Sequence, residues 1–382
     1  MATDKPSTIA AAVALSCIGV FGLLPQPIFL GALQDYLGFS SQQASLITAS
    51  EVIGGALASI LAAFWIRRVN WRLAALAGIV VVIGGNLVSS FASSESALLA
   101  LRFLVGLLGE GTCFAVAIAM LSETRDTDRN FAFSIAAQVA FGVVAFAALP
   151  FAVAQWSIAG ILVPLAILAG LIALLLAWVP AGSSRDFTAG AAGPATSPLP
   201  ALAALATLLV WCIGLGGIYA FEERIGVAAG LEPTTVGSGL ALAVAVGFLG
   251  ALAASWVADR WGRVLPVAVA LGVQVGAIWL LQGEMSWTRF ALTASVFHFF
   301  WNFTGPYLMG TVAGNDATGR IAVLMPAAQT GGFAVGTAFA GNLMTADSLA
   351  AANLVGAAGC AIALLMFVPI ALRMRQAAAA AG

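Results

Sequence analysis

The chain has 382 residues, of which 62% are hydrophobic and 8% charged, and its mean hydropathy is +1.04. A soluble domain carries about 25% charged residues, so this composition excludes a surface covered by water and requires lipid as the solvent. The net charge of -1 and the lack of any basic run point to no polyanionic partner, nucleic acid included.

Twelve apolar runs follow one another, each near the roughly 20 residues that a bilayer core demands of a helix. They lie at about 10–33, 44–66, 73–92, 97–121, 131–152 and 158–179, then at 200–221, 235–257, 264–282, 290–311, 321–344 and 349–372. The first run is too long for a cleaved leader and is expected to remain as a span. The fifth and sixth are joined without a charge and are divided near Gln155. Residues 181–199 are rich in Gly, Ser, Pro and Ala and read as a cytoplasmic linker. The division is therefore 1–180 as an N-terminal six-helix bundle, 181–199 as linker and 200–382 as a C-terminal bundle. Cys17, Cys113, Cys212 and Cys360 are isolated inside apolar runs. They predict neither a disulfide framework nor a metal site, and no cofactor is expected.

Basic residues orient the chain, because positive charge is retained on the cytoplasmic side. With the N-terminus inside, Lys5, Arg67, Arg68, Arg72, Arg125, Arg129, Arg185, Arg260, Arg263, Arg320, Arg373 and Arg375 are all cytoplasmic, and Arg102, Arg224 and Arg289 are left near the outer half. Both termini are then cytoplasmic. One lysine against fourteen arginines, with abundant Ala and Gly, suggests a GC-rich bacterial genome and hence an inner membrane.

A shift of 192 residues lays Arg67-Arg68-Val69-Asn70-Trp71 onto Asp259-Arg260-Trp261-Gly262-Arg263, each in the loop after the second span of its half. Such a parallel repeat is a known transporter design. The second copy, Ala258-Asp259-Arg260-Trp261-Gly262-Arg263, resembles the cytoplasmic loop motif of the major facilitator superfamily, G-x-x-x-D-R-x-G-R-R. Ser255 stands at the first glycine, and the copy at Arg67 to Arg72 lacks the Asp. Arg102-Phe103-Leu104-Val105-Gly106 resembles the family's R-x-x-Q-G, with Val105 in place of Gln. The resemblance spans the whole chain. It implies an all-α membrane protein of twelve transmembrane helices, arranged as two pseudo-symmetric six-helix bundles. It also implies a binding site at mid-membrane and a cytoplasmic gate at Asp259, Arg260, Gly262 and Arg263 that breaks and reforms during alternating access.

Ionisable residues inside spans cost about 2.5–3.5 kcal/mol each on insertion scales, so each is a candidate for function. Glu51 and Arg102 lie about eight residues from the outer ends of their spans, roughly 10 Å deep, and are expected to meet, either as a permanent bridge or as a mobile proton switch. Glu110 is about two turns deeper than Arg102 with nothing basic one turn away, and loss of hydration penalises its charged form. It is the expected proton carrier. The 192-residue shift sets Glu110 on Asn302, one turn from His298 and beside Trp301. Trp211, Tyr219 and Glu222 share a face of span seven, while Glu223 and Arg224 are expected to mark its outer boundary. Gln26, between Pro25 and Pro27, Gln138, and Gln329 after Pro326 complete the polar set; the prolines predict kinks.

An apolar, aromatic lining with more acids than bases suits a small lipophilic or weakly cationic molecule exported in exchange for protons. Proton-coupled symport of a small organic anion, with Arg102 and His298 as its positive partners, is the rival reading. The two are separated by whether Glu51 already neutralises Arg102. A receptor or scaffold on a transporter fold is the reading from another class. No nucleotide loop, metal cluster or paired nucleophile is recognisable, so an enzyme is not expected. The remaining expected partners are the lipid bilayer and protons, with the chain acting as a monomer.

Overall fold

Apolar runs can cross lipid as helices because every backbone N–H and C=O then finds its partner within the segment. The computed structural model describes residues 4–182, 198–257, 260–316, 321–345 and 348–381, and it has that form: helices connected by short turns, with no strand among the described residues beyond an isolated bridge between Thr345 and Ser348. The chain divides into two units, Met1–Gly190 and Ala191–Gly382.

In the first unit, α1 (Pro6–Ile18) and α2 (Gln26–Leu37) make one crossing, and α3 (Ser41–Trp65) and α4 (Trp71–Ser89) the next two. The fourth is α5 (Glu95–Leu104), a π-helical segment at Val105–Glu110 and α6 (Gly111–Ser122). The last two are α7 (Thr127–Trp156) and α8 (Ala159–Ala173). The second unit has α9 (Leu199–Tyr219) with α10 (Glu222–Ala228), then α11 (Pro233–Val257), α12 (Val264–Leu280), α13 (Trp287–Asn315), α14 (Met325–Leu343) and α15 (Ala350–Ala381). Among the described residues, each unit thus supplies six crossings. Eight stretches among the described residues are helical, long and apolar enough to cross a membrane, and α1 and α12 are shorter apolar helices.

Short polar residues start these helices by accepting N–H groups that have no partner in the first turn. Ser40 and Gln43 form a reciprocal box at the start of α3. Asn70 caps α4 through Leu73, Ser94 caps α5 through Ala97, and Ser286 caps α13 through Arg289. Ser94 and Ser286 stand 192 residues apart, as do the first residues of α3 and α11 and their last.

The spans are less regular than the apolar runs. The first crossing is interrupted between Ile18 and Gln26, and the first crossing of the second unit between Tyr219 and Glu222. Pro27 and Pro326 do not kink helix interiors as expected. They occupy opening positions of α2 and α14, where a missing N–H has no partner to lose. Pro25 immediately precedes α2. The boundary expected near Gln155 lies at Trp156, where Ser157 turns the chain with a φ of 55°. The linker expected at 181–199 falls mostly outside the described residues, as do Arg185, Asp259 and Arg320.

Small residues bring the helices close, as van der Waals packing in lipid requires. In the first unit, a β-carbon on Gly54 would strike the backbone of Phe103, and one on Gly106 the carbonyl of Glu51. In the second, Gly250 meets the carbonyl of Phe299 in the same way, and Gly216 and Gly336 close α9 onto α14.

Candidate functional site

Arg102 is the hub of a buried polar cluster in the first unit. Its side chain is 1% exposed. Nη1 donates to Oε1 of Glu51 at 3.0 Å and to Oδ1 of Asn86 at 2.8 Å, and Nη2 donates to Oγ of Ser89 at 3.0 Å. The carboxyl groups of Glu51 and Glu110 converge on the same point at Gly22. Oε2 of Glu110 also accepts the backbone N–H of Gly22 at 3.2 Å. That donor comes from the interruption between α1 and α2, where the helical hydrogen-bond ladder is broken.

The expected pair of Glu51 and Arg102 is therefore present, but Glu110 is not the isolated carboxyl that its sequence surroundings suggested. In an uninterrupted α-helix, residues eight apart differ by roughly 80° around the axis. The wider turns at Val105–Glu110 rotate the chain less per residue. They bring Glu110 round to the carboxylate that Arg102 binds. Glycines make room: Gly106 lies against Glu51, Gly109 against Gly78 and Val82, and Gly111 against Ala58. Asn86 and Ser89 were not singled out from sequence. Their signal was a lone amide and a hydroxyl one turn apart at the outer end of the otherwise apolar α4.

A second cluster lies within the other unit. Glu222, fully buried, opens α10, and its Oε2 is 2.9 Å from Nε2 of His298 on α13. Its Oε1 is buried without a hydrogen-bond partner. The imidazole is ringed by aromatic side chains, with centroids at 5.3 Å for Trp301, 5.6 Å for Phe297 and 5.8 Å for Tyr219. Phe333 of α14 extends the cluster, 5.1 Å from Trp301. Glu223 is buried and grips Arg224 through both oxygens, at 2.6 and 2.7 Å.

The remaining candidates are dispersed. Trp211 is buried in the second unit and donates from Nε1 to Gln274 of α12 at 3.3 Å. Asn302 turns back onto its own helix, donating to the carbonyl of His298 at 3.0 Å. Gln138 joins Ser16 and Ser134 in a hydrogen-bonded group between α1 and α7. Gln26 is buried at the start of α2, and Gln329 is half-buried on α14. In the loop motif, Arg260 lies 5.0 Å above the ring of Trp256, and Gly262 has a φ of 67°. Arg263 runs alongside α13, where Gly310 and Gly314 leave space for it. It lines a cavity of about 240 Å³ with Ala251, Ala254, Pro306 and Tyr307. Asp259 lies outside the described residues.

The family model of the Major Facilitator Superfamily matches residues 9–337. The chain belongs to the Major Facilitator Superfamily. It is thus a multi-pass membrane transporter, driven as a secondary carrier, and not an enzyme. Among solved structures, it is similar to a point mutant of the nucleoside transporter NupG, with a TM-score of 0.74 and 12% identity over 95% of this chain and 99% of that one. It is also similar to a bacterial homologue of the human lysosomal transporter Spinster, in an inward-facing and unoccupied conformation. There the TM-score is 0.68 at 14% identity, over 97% of each chain. At these identities the likeness concerns the fold. Compared by sequence with curated proteins, the chain matches none.

Proposed function

We propose that this superfamily member exports a small lipophilic or weakly cationic molecule in exchange for protons, by alternating access. The observation that carries the reading is the meeting of the buried Glu51 and Glu110 carboxyl groups at Gly22. Two carboxylates brought together out of water repel each other when both are charged, and a proton shared between them relieves that repulsion. Arg102 lies on Glu51, which leaves Glu110 as the carrier of that proton. A buried group that holds a proton in one state and gives it up when hydrated is the minimum that coupling needs.

The same pairing argues against a small organic anion as substrate. Arg102 is committed to Glu51, Asn86 and Ser89, and His298 to Glu222. An anion would have to displace a carboxylate from each. The arginine distribution supports cytoplasmic termini, and the composition supports a bacterial inner membrane. The carrier is proposed to act as a monomer.

The deciding experiment reconstitutes the protein in liposomes containing a pH-sensitive dye. Lipophilic amines, small organic acids and sugars are then added outside in turn. Movement of protons opposite to an amine supports the reading. Proton movement in the same direction as an organic acid, with no response to amines, overturns it.

A further inference from the structure

Arg102 carries more donors than its partners use. A guanidinium presents N–H groups on all three nitrogens and accepts no hydrogen bond. Nη1 gives to Glu51 and Asn86, and Nη2 gives to Ser89. Nε is buried and meets no acceptor, and Nδ2 of Asn86 is in the same position. These two idle donors belong to side chains already joined by the 2.8 Å bond from Nη1 to Oδ1, so they lie within a few atoms of each other. Ser89 adds a third, because its Oγ accepts from Nη2 and keeps its own O–H to give. All three side chains are enclosed, with Arg102 and Asn86 1% exposed and Ser89 0%. A buried donor with nothing to receive its hydrogen is costly, most of all on a charged group. Packing does not demand these groups. The positions 192 residues further on, in the helix pair α12 and α13, are Ile278, Leu281 and Ala294, and all three are buried.

We infer that Nε of Arg102, Nδ2 of Asn86 and the hydroxyl of Ser89 form a binding site for a small inorganic anion, a halide such as chloride, between α4 and α5. The donor set selects the ligand. A halide only accepts hydrogen bonds, whereas a water molecule would bring two O–H groups of its own to be matched. The acceptors that α4 turns to the guanidinium, Oδ1 of Asn86 and Oγ of Ser89, already take its hydrogens. Position agrees with charge. The Nε–H of an arginine points along the edge it shares with Nη2, and here that edge faces Ser89. Glu51 is held on Nη1. Anion and carboxylate therefore occupy different edges of one guanidinium, each through charge-assisted hydrogen bonds, and the anion displaces nothing. Burial of all three side chains favours a monatomic ion over a carboxylate or a phosphate. The site goes beyond the proposed export and does not depend on it, since the anion is a second species bound within the first unit.

The test follows the thermal unfolding midpoint of the purified full-length protein in detergent as sodium chloride replaces sodium gluconate at constant ionic strength. Broadening of the chlorine NMR line in the same samples reports bound chloride directly. Wild type should gain stability in a saturable way and broaden the line, and bromide should stabilise it too. Asn86→Asp keeps the acceptor for Nη1 but replaces the idle donor by a negative charge, so both responses should be lost. Arg102→Lys keeps the positive charge beside Glu51 but has no Nε–H, and its apparent chloride affinity should fall at least tenfold. Ser89→Ala should lose affinity severalfold. A response of wild-type size in folded Asn86→Asp or Arg102→Lys overturns the inference. So does a wild type that chloride stabilises no more than gluconate and that leaves the chlorine line sharp. If neither of those variants folds, Ser89→Ala decides, and unchanged affinity there overturns the site. None of these outcomes bears on proton-coupled export, which the liposome experiment tests separately.

Discussion

The backbone N–H of Gly22 donates to Oε2 of Glu110 at 3.2 Å, tying the interruption of the first crossing to the acid of the fourth. A β-carbon at Gly22 would come within 2.6 Å of Cγ of Glu51 and 3.0 Å of Oε2 of Glu110. The glycine therefore supplies both a free donor and the space that the two carboxyl groups occupy.

Gly22→Ala is expected to push the carboxyl groups apart while the protein still folds. Overpacking of this kind costs about 1–3 kcal/mol. Thermal unfolding in detergent should show a lowered midpoint, and the pH profile of proton-coupled transport should shift. A wild-type profile in the alanine variant would mean that the carboxyl contact is incidental to coupling.

Glu110→Gln mimics the protonated side chain and cannot release a proton. It should abolish accumulation of substrate driven by a pH gradient, yet leave exchange of labelled for unlabelled substrate intact. Both are measured on the same proteoliposomes. Accumulation at the wild-type rate with an unchanged pH profile would make Glu110 structural and move attention to Glu51 or Glu222.

Arg102 and Glu51 should be strongly coupled in stability. Removing one partner of a buried ion pair costs about 3–5 kcal/mol, because the other is left charged and unpaired. Arg102→Gln and Glu51→Gln should each lower the unfolding midpoint substantially. The double variant should be less destabilised than the sum of the two. Additive losses would show that Asn86 and Ser89 satisfy Arg102 without help from Glu51.

Asp259→Asn tests the cytoplasmic gate that the loop motif implies. Loss of the carboxylate should remove the anion that the motif sets beside Arg260 and Arg263. A cysteine at the half-buried Gln329, in a background lacking the native cysteines, should then be labelled faster by a membrane-impermeant maleimide added from the cytoplasmic face. Equal labelling rates would reduce the motif to a topological turn.

The amino-acid sequence by itself determined the class of this protein. Runs of some 20 apolar residues have one workable solution in lipid, and arginine placement and a 192-residue repeat are linear features that can be read without coordinates. The pairing of Glu51 with Arg102 was legible for the same reason, since equal depth in two spans is a matter of counting. Tertiary structure decided what counting could not. The π-helical segment at Val105–Glu110 alters the angular position of Glu110 without altering the apolar pattern, so periodicity placed that carboxyl apart from the arginine cluster it joins. The meeting of Glu222 with His298 depends on the interruption after Tyr219 and on how α10 packs near α13. Hydropathy fixes how deep a side chain lies in the membrane. Its direction around the helix, and therefore its partner, is set by local helix geometry and by the glycines that allow neighbouring backbones to approach.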